Sequence, residues 1–354
     1  MTLFILSLVS FLIVIAVLIL AHELGHFITA RARGVKVIEF GIGFPPRLFG
    51  IKAGGTIYSI NAIPLGGFTK MVGEEDPKEP GSLAGKGFGT RLLVLSAGSI
   101  MNLLLPLLLF SVAFMVPHDV TVGQVVITEV APASPAANAG LQPGDILLSL
   151  NGREVTSGFD LSRYIQLNLG RPVTLLIQRG PITEKVRLIP RWKPPAGEGA
   201  IGVVIDMTDV TTVHQREPFW RAIPAGVTTC FETFVLFKNG IESMIIGAIP
   251  ASVTGPVGIA QLTGEVARTG VSPLLEFAAF LSINLGILNL FPLPALDGGR
   301  IAFVLLEWIR RGKRISPKTE GRIHFIGFAL LIAFTVAITY QDIIRIIGGD
   351  SLIP

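Results

Sequence analysis

The sequence predicts a polytopic α-helical membrane protein of about four transmembrane helices, with a membrane-associated β-hairpin region and a β-rich domain inserted between the second and third spans. Half of the 354 residues are hydrophobic and 15% are charged, which excludes an ordinary soluble domain. A membrane-spanning helix needs about 20 apolar residues. Four runs reach that length: residues 2 to about 29, 92–116, 277 to about 309, and 323–341.

The distribution of lysine and arginine predicts the orientation of these spans. Nine of these residues lie at 31–91 and six at 310–322, whereas the first 30 residues contain none. Short loops rich in lysine and arginine stay in the cytoplasm, and long segments cross the membrane largely regardless of charge. Both termini and the long segment between the second and third spans are therefore expected outside the cytoplasm. Because the basic residues cluster beside apolar runs, the net charge of +4 does not indicate a nucleic-acid partner.

A candidate metal motif, His22-Glu23-Leu24-Gly25-His26, lies near the end of the first run. His22 and His26 are four residues apart, so a helix presents both imidazoles on one face. Two neutral nitrogens suit Zn²⁺, which in catalytic sites takes three protein ligands and leaves one position for water. Glu23 is the candidate general base. The alternative is a membrane anchor with unrelated histidines, but ionisable groups at membrane depth are costly and usually functional.

The third apolar run supplies the expected third ligand. Pro292 and Pro294 break a helix at membrane depth, which is tolerated only where the freed backbone faces protein or a cavity. Asp297 follows this break, and the predicted topology brings it to the same leaflet as the two histidines. Asn284 and Asn289 are candidates for binding the substrate or the ligands, with interhelical packing as the alternative. Other carboxylates lie in a polar linker: Glu74, Glu75 and Asp76.

Two stretches beside the metal motif are candidates for substrate binding and support. Residues 35–40 and 56–61 alternate as strands do, and residues 41–46 are expected to break the chain between them. Such a hairpin offers an edge on which an extended substrate pairs, or it is only a packing element. Gly66 and Gly67 are assigned to the same substrate-binding region. In the second span, Asn102 needs a hydrogen-bond partner and serves either helix packing or the active site.

Residues 120–192 change to short β-rich pieces around Ala139-Gly140-Leu141-Gln142-Pro143-Gly144-Asp145 and resemble a PDZ domain. PDZ domains bind peptide ends by strand addition, so Gly140 and Leu141 are candidates for the peptide groove. The alternative is a spacer that only obstructs large proteins. A proline- and glycine-rich linker follows, and residues 219–246 then predict an amphipathic helix on the outer membrane surface, with a buried helix as the alternative. The expected domains are 1–117, 118–193, 194–250 and 251–354.

With both metal stretches in view, the chain resembles the site-2 protease family of intramembrane zinc metalloproteases, in particular the bacterial regulator of sigma-E protease type. Further shared stretches are Phe40-Gly41-Ile42-Gly43-Phe44-Pro45, residues 64–74 and Gly255-Pro256-Val257-Gly258. The resemblance implies that His22, His26 and Asp297 bind Zn²⁺, that Glu23 is the catalytic base, and that Asn289 helps to hold the substrate. The chain departs from the family pattern in having one PDZ domain, and in Phe68 and Ser99.

The expected activity is hydrolysis of peptide bonds within transmembrane segments of single-span proteins, such as pre-trimmed anti-sigma factors or remnant signal peptides. The expected setting is the bacterial inner membrane, with the active site toward the cytoplasm, and the sequence does not predict the oligomeric state. Two other classes remain: a non-catalytic PDZ-bearing membrane adaptor with a structural metal site, and a metal transporter. A structural site has no need of Glu23, and a transporter needs further intramembrane ligands along a path.

Overall fold

The computed structural model describes residues 2–74, 77–249 and 253–348. The chain divides into a membrane unit, Met1–Ala113, Ala222–Gly226 and Val253–Pro354, and a β unit, Phe114–Arg221 and Val227–Ser252. Two alternative ligands from the sequence, Glu75 and Asp76, lie outside the described residues, as does the expected domain boundary at residues 250–251.

The secondary structure alternates between long apolar helices and two separate groups of strands. In chain order the elements are α1 Thr2–Ala32, β1 Val37–Ala53, β2 Thr56–Met71, α2 Phe88–Met115, β3 His118–Val130, α3 Pro135–Asn138, β4 Ile146–Leu150, β5 Arg153–Glu154, α4 Gly158–Leu167, β6 Val173–Arg179, β7 Ile182–Leu188, β8 Val203–Gln215, α5 Phe219–Ile245, α6 Pro256–Thr269, α7 Val271–Leu290, α8 Asp297–Ile309 and α9 Pro317–Gly348.

Four described helices, α1, α2, α7 and α9, are long and apolar enough to cross a membrane, as the sequence predicts. The predicted third span of residues 277–309 is wrong in its bounds. It is two helices, because the backbone turns extended at Phe291 before Pro292 and resumes a helix only at Asp297. The spanning helix α7 therefore ends at Leu290, and Asp297 opens the next helix.

Small residues allow α1, α2 and α7 to approach each other closely. A Cβ built on Gly25 of α1 would lie 2.4 Å from the Ala97 carbonyl oxygen of α2, and one on Gly286 of α7 would lie 2.7 Å from Leu103. Ser282 of α7 also donates a hydrogen bond to the Asn102 carbonyl at 2.8 Å. Helices in lipid associate through such close packing and interhelical hydrogen bonds. The three helices thus hold the metal motif of α1 between fixed neighbours.

The β-hairpin region is larger than the sequence indicates. Residues 41–46 do not interrupt the strand, because β1 continues through them to Ala53 with several shifts in register. Residues 39–42 align with residues 67–70 on one side and with residues 57–60 on the other. The buried Glu39 accepts hydrogen bonds from Arg47 and Ser59, both at 2.7 Å. These contacts tie the folded-back strands into one small sheet beside α1.

The β unit contains a six-stranded sheet in the order β7-β6-β4-β3-β8, with β5 paired to β4. Its core consists of side chains that alternate inward along the strands, including Val125, Ile127, Leu147, Leu175 and Ile177. The sheet continues beyond the expected domain end at residue 193, because β8 pairs with β3 along its whole length. Strand β8 was not predicted from the sequence, which indicated only the proline- and glycine-rich linker before it.

Helix α5 covers almost the same residues as the predicted amphipathic helix. Its polar side chains bind the β unit: Glu232 accepts hydrogen bonds from Arg153 and Arg163, and Asn239 donates to the Gln166 carbonyl at 2.7 Å. Large apolar side chains on the same helix stay exposed, including Phe231 at 64%. This division of polar and apolar faces is the pattern that predicts a helix lying on a membrane surface.

The ion pair between buried Asp145 and partly exposed Arg179 predicts how the β unit responds to acid. Burial raises the pKa of the Asp145 carboxyl, but hydrogen bonds from Arg179 and the Gln142 amide together lower it below its ordinary value. Stability from this pair is therefore complete above the unfolded-state pKa of about 4 and is lost as pH falls through the lower folded-state pKa. The protection factors of the β4 and β6 amides, which are exchange rates corrected for the intrinsic rate at each pH, should fall below about pH 4 in the native protein.

The matched variants for this experiment are Asp145→Asn and Arg171→Gln. The first removes the titrating group, so the protection factors in β4 and β6 should already be lower at neutral pH and should change little between pH 5 and pH 3. The second removes an exposed arginine and should behave like the native chain. An unchanged acid response in Asp145→Asn would contradict the assignment.

Candidate metal centre and catalytic cavity

The structure brings together the three side chains that the sequence marks as zinc ligands. His22 and His26 lie one turn apart on α1, and Asp297 is the first residue of α8. The Asp297 Oδ2 atom lies 3.0 Å from His22 Nε2 and 3.1 Å from His26 Nε2, and the two ring nitrogens are 3.2 Å apart. Among the described residues, these three form a group whose ligand atoms all lie within 4.8 Å of one another.

Hydrogen bonds to the opposite ring nitrogens orient both imidazoles. The Nδ1 atom of His26 lies 2.8 Å from the Val94 carbonyl oxygen, which can only accept, so its proton is on Nδ1 and Nε2 is free to bind a metal. The Asn102 amide lies 3.4 Å from His22 Nδ1, and its oxygen is buried without a hydrogen-bond partner among the described residues. Turning that oxygen toward His22 satisfies both groups and leaves His22 Nε2 free as well.

Gly98 of α2 forms the floor of the metal centre. A Cβ built on this residue would lie 2.3 Å from His26 Nε2 and 2.7 Å from His22 Nε2. Side-chain atoms do not approach so closely without displacing a neighbour, so only glycine leaves the two nitrogens in place. In the sequence, only Asn102 of this span indicated a link to the active site, so Gly98 was missed.

The donor set fits Zn²⁺. Two imidazole nitrogens and one carboxylate oxygen are ligands that zinc commonly takes in catalytic sites. Two ligands at about 2.0 Å from a tetrahedral ion are separated by roughly 3.3 Å, close to the separations observed among these three atoms. The Asn102 oxygen, buried and unpaired within the part of the chain that the structure describes, is a further feature of a site that orients a metal-binding histidine.

A cavity of about 650 Å³ opens beside the cluster. Its wall includes Glu23, the end of β2 and the turn that leads into α8. Glu23 is held near β2, because the Thr69 hydroxyl donates to its carbonyl at 3.1 Å and a Cβ on Gly67 would lie 3.2 Å from its Cγ. Gly66 has a φ of +121° and packs against the Phe44 ring, a conformation that favours glycine.

The three asparagines predicted as site residues lie at different places relative to the metal centre. Asn102 lies behind His22, where it supports the histidine. Asn284 donates a hydrogen bond to the Phe280 carbonyl of its own helix, and Asn289 lies in the last turn of α7. Neither of these two is among the described residues that line the cavity. The substrate-binding role assigned to them from sequence stays a prediction.

In the β unit, the backbone groups of Gly140 and Leu141 make hydrogen bonds within the fold. Their amides donate to the carbonyls of Ala137 and Ala136, both at 3.0 Å, and the Leu141 side chain is in the core. The Gly140 carbonyl also accepts from Arg179. These groups are therefore used within the fold, and the peptide-groove role assigned to Gly140 and Leu141 from the sequence stays a prediction. The strands at the two ends of the sheet, β7 and β8, present the edges that strand addition requires.

Two residues of the cavity wall were not identified from the sequence. His324 of α9 lines the cavity and accepts a hydrogen bond from the Ala295 amide at 3.0 Å. Arg300 of α8 also lines the cavity and pairs with Glu74 at 2.6 Å. Neither has a motif partner at short spacing, so no sequence signal of the kind used above points to them.

Four apolar helices and a cluster of two histidines and an aspartate beside a glutamate define a membrane-embedded metalloprotease. The chain belongs to peptidase family M50, whose model matches residues 10–334, and it is a zinc metalloprotease with Zn²⁺ as its cofactor. This confirms the resemblance to the site-2 protease family.

The relatives cover nearly the whole chain. The zinc metalloprotease RasP of Geobacillus kaustophilus is 30% identical over 420 residues, with 95% of this chain and 97% of the relative covered. The regulator of sigma-W protease RasP of Bacillus subtilis is 27% identical, with 97% and 99% covered. The PDZ domain of an SdrC-like protein from Listeria monocytogenes is 24% identical at a TM-score of 0.22 and covers 24% of this chain and 90% of that domain.

Proposed function

We propose that this protease hydrolyses peptide bonds within transmembrane segments of single-span membrane proteins. The observation that carries the proposal is the position of Glu23, His26 and Asp297 on the wall of one cavity, with His22 beside them in the ligand cluster. Helices able to span a membrane help to form this cavity. The name of the Bacillus subtilis relative, regulator of sigma-W protease, favours anti-sigma factors as substrates, and remnant signal peptides are the other class.

In the proposed mechanism, His22, His26 and Asp297 hold Zn²⁺, which when bound supplies Lewis acidity and lowers the pKa of water. Glu23 takes a proton from the attacking water and later delivers it to the leaving amine. The Thr69 hydroxyl and the close approach of Gly67 fix the backbone and side chain of Glu23 for this transfer. Asn102 and the Val94 carbonyl keep the imidazoles oriented.

The end of β2 is the proposed binding edge for the substrate. Residues 67–71 line the cavity next to Glu23, so an unwound substrate segment that pairs there lies beside the base. A helix must unwind before it pairs, because its backbone groups otherwise bond within the helix. Gly66 and Gly67 have no side chains, so a substrate backbone is proposed to approach β2 closely at these two residues. Asn289 is retained as a proposed substrate contact on the basis of the family resemblance.

The proposed topology places the active site toward the cytoplasm and both termini and the β unit outside the cytoplasm. The lysine and arginine distribution supports it, since the two short loops between spans carry most of the basic residues near the membrane. Labelling of single cysteines tests it. Cysteines introduced at exposed positions in the 310–322 loop should react only after the membrane is opened, and those in β7 should react in intact cells whose outer membrane is permeable.

Removal of zinc is the direct test of the proposed activity. Purified full-length protein should cleave a trimmed single-span substrate in detergent, lose the activity on treatment with a chelator, and regain it with stoichiometric Zn²⁺. Substrate with a rigid, proline-free transmembrane helix should be cut more slowly than one with helix-breaking residues, because unwinding precedes cleavage. Zinc-loaded protein that cuts no single-span substrate would favour the adaptor class, and zinc flux into vesicles would favour the transporter.

We further propose that the β unit is a PDZ domain that excludes untrimmed, bulky substrates. His118 pairs with Gln215, and Glu217 donates to the Phe114 carbonyl at 2.9 Å, so the two ends of the domain are adjacent. Residues 118–215 can therefore be replaced by a short glycine-serine linker. The deletion should leave cleavage of a trimmed substrate intact and increase cleavage of its untrimmed form. Equal discrimination with and without the domain would rule out the exclusion role.

A further inference from the structure

His324 connects α9 to the turn that carries Asp297. Its Nδ1 atom accepts a hydrogen bond from the Ala295 amide at 3.0 Å. A ring nitrogen that accepts from an N–H group carries no proton, so the neutral imidazole has its proton on Nε2. The ring therefore holds a backbone amide two residues before Asp297.

The turn at residues 291–296 needs an external support. Ala295 has a φ of +78°, in the left-handed region that non-glycine residues rarely adopt, and such a conformation persists only where its surroundings enforce it. On α9, Gly327 is three residues from His324 and so lies on the same face. A Cβ on Gly327 would lie 2.2 Å from the Pro294 Cβ. Both contacts of α9 thus act on adjacent residues of the turn.

The other side of the turn is folded tightly onto α8. A Cβ on Gly298 would lie 2.0 Å from the Phe291 carbonyl oxygen, and one on Gly299 would lie 2.5 Å from the Leu293 carbonyl oxygen. The turn and the first residues of α8 therefore move together. Where α9 holds the turn, it also sets the position of Asp297 Oδ2, which lies 3.0 Å and 3.1 Å from the two histidine nitrogens.

We propose that His324 is a positioning residue that places Asp297 for zinc binding through the Ala295 amide. This role rests on the proposed ligand set. Without the acceptor, the amide of Ala295 is left unpaired and the left-handed conformation loses its support, so the turn relaxes and Asp297 moves. Loss of an outer partner of a metal ligand typically costs about 10–100-fold in metal affinity.

The other ring nitrogen of His324, Nε2, suggests a competing role, which is direct contact with the substrate. In the part of the chain that the structure describes, His324 Nε2 is buried without a hydrogen-bond partner, and His324 lines the catalytic cavity. Direct contact with a substrate carbonyl would use Nε2, whereas the positioning role uses Nδ1. Asparagine places its amide oxygen near the site of Nδ1, and glutamine reaches the site of Nε2. The two substitutions therefore separate the two roles.

The experiment measures zinc affinity of the full-length protein by competition with a chromogenic chelator, without substrate. His324→Leu and His324→Gln should bind zinc about 10–100-fold more weakly than the native chain, and His324→Asn should restore nearly native affinity. At saturating zinc, His324→Asn should also keep native kcat and KM. Ile326→Ala, at an exposed position of the same helix, is the matched control and should bind zinc normally.

The outcomes separate this inference from the proposed site. Native zinc affinity in His324→Leu, or rescue by glutamine and not by asparagine, would overturn the positioning role. If His324→Leu does not fold, the asparagine and glutamine pair still decides between the two nitrogens. Asp297→Ala is measured in parallel. Native zinc affinity in Asp297→Ala would refute the ligand set and with it the role of His324. Weak zinc binding in Asp297→Ala together with native binding in His324→Leu would refute only the role of His324.

Discussion

Glu23→Gln should abolish cleavage of a trimmed single-span substrate while leaving zinc binding intact. Glutamine has nearly the same shape as glutamate but does not accept the proton of the attacking water, and general-base catalysis typically contributes about 10²–10⁴-fold to the rate. Glu23 is outside the group of His22, His26 and Asp297, so the metal should remain. The measurement is the single-turnover cleavage rate beside the zinc content of the same preparation.

The control for this variant is Glu129→Gln, which makes the same chemical change at an exposed position of β3. It should cleave at the native rate. A Glu23→Gln protein that holds zinc and cleaves within a few-fold of the native rate would remove Glu23 from the proposed mechanism. Loss of zinc together with activity would instead show that Glu23 supports the metal.

Gly98→Ala should remove zinc binding and activity together. The added Cβ would lie 2.3 Å from His26 Nε2 and 2.7 Å from His22 Nε2, so at least one imidazole must leave its position. Loss of a hydrogen-bond partner of a metal ligand typically lowers metal affinity by about 10–100-fold. In Gly98→Ala the ligands themselves move, so zinc affinity should fall by at least as much. Affinity is measured by chelator competition, and the helical content is measured by circular dichroism.

The effect of Gly98→Ala on helix stability is opposite to its expected effect on zinc binding. Alanine is a better helix former than glycine by about 1 kcal/mol, so the substitution favours α2 itself. Any loss of zinc binding is therefore steric. Gly89→Ala is the matched control on the same helix, where a Cβ would meet no atom within 4 Å. It should leave zinc and activity unchanged, and a Gly98→Ala protein with stoichiometric zinc would contradict the proposed floor of the site.

Local features of the chain were sufficient for much of the fold. The lengths of the apolar runs predicted four spanning helices, and the proline pair predicted a break before Asp297. The spacing of His22 and His26 predicted that they share a face, because helical geometry alone fixes that relation. The sequence was less informative for strands. Strand β1 continues through Pro45 and Pro46 because it pairs with β2 on both sides of that point. Strand β8 forms after the linker because it pairs with β3, which is distant in the chain.

Composition and the lengths of the apolar runs predicted a polytopic membrane protein, and the spacing of His22 and His26 predicted two candidate ligands on one helix face. The protease class came from the resemblance of several motifs to a known family. The residues around the candidate ligands follow only from the folded chain. Gly98 forms the floor of the site because α2 crosses α1 there, and His324 supports the Ala295 turn because α9 packs against it. Gly140 and Leu141 are occupied within their own domain. Such contacts join elements far apart in the chain, and packing between those elements fixes them.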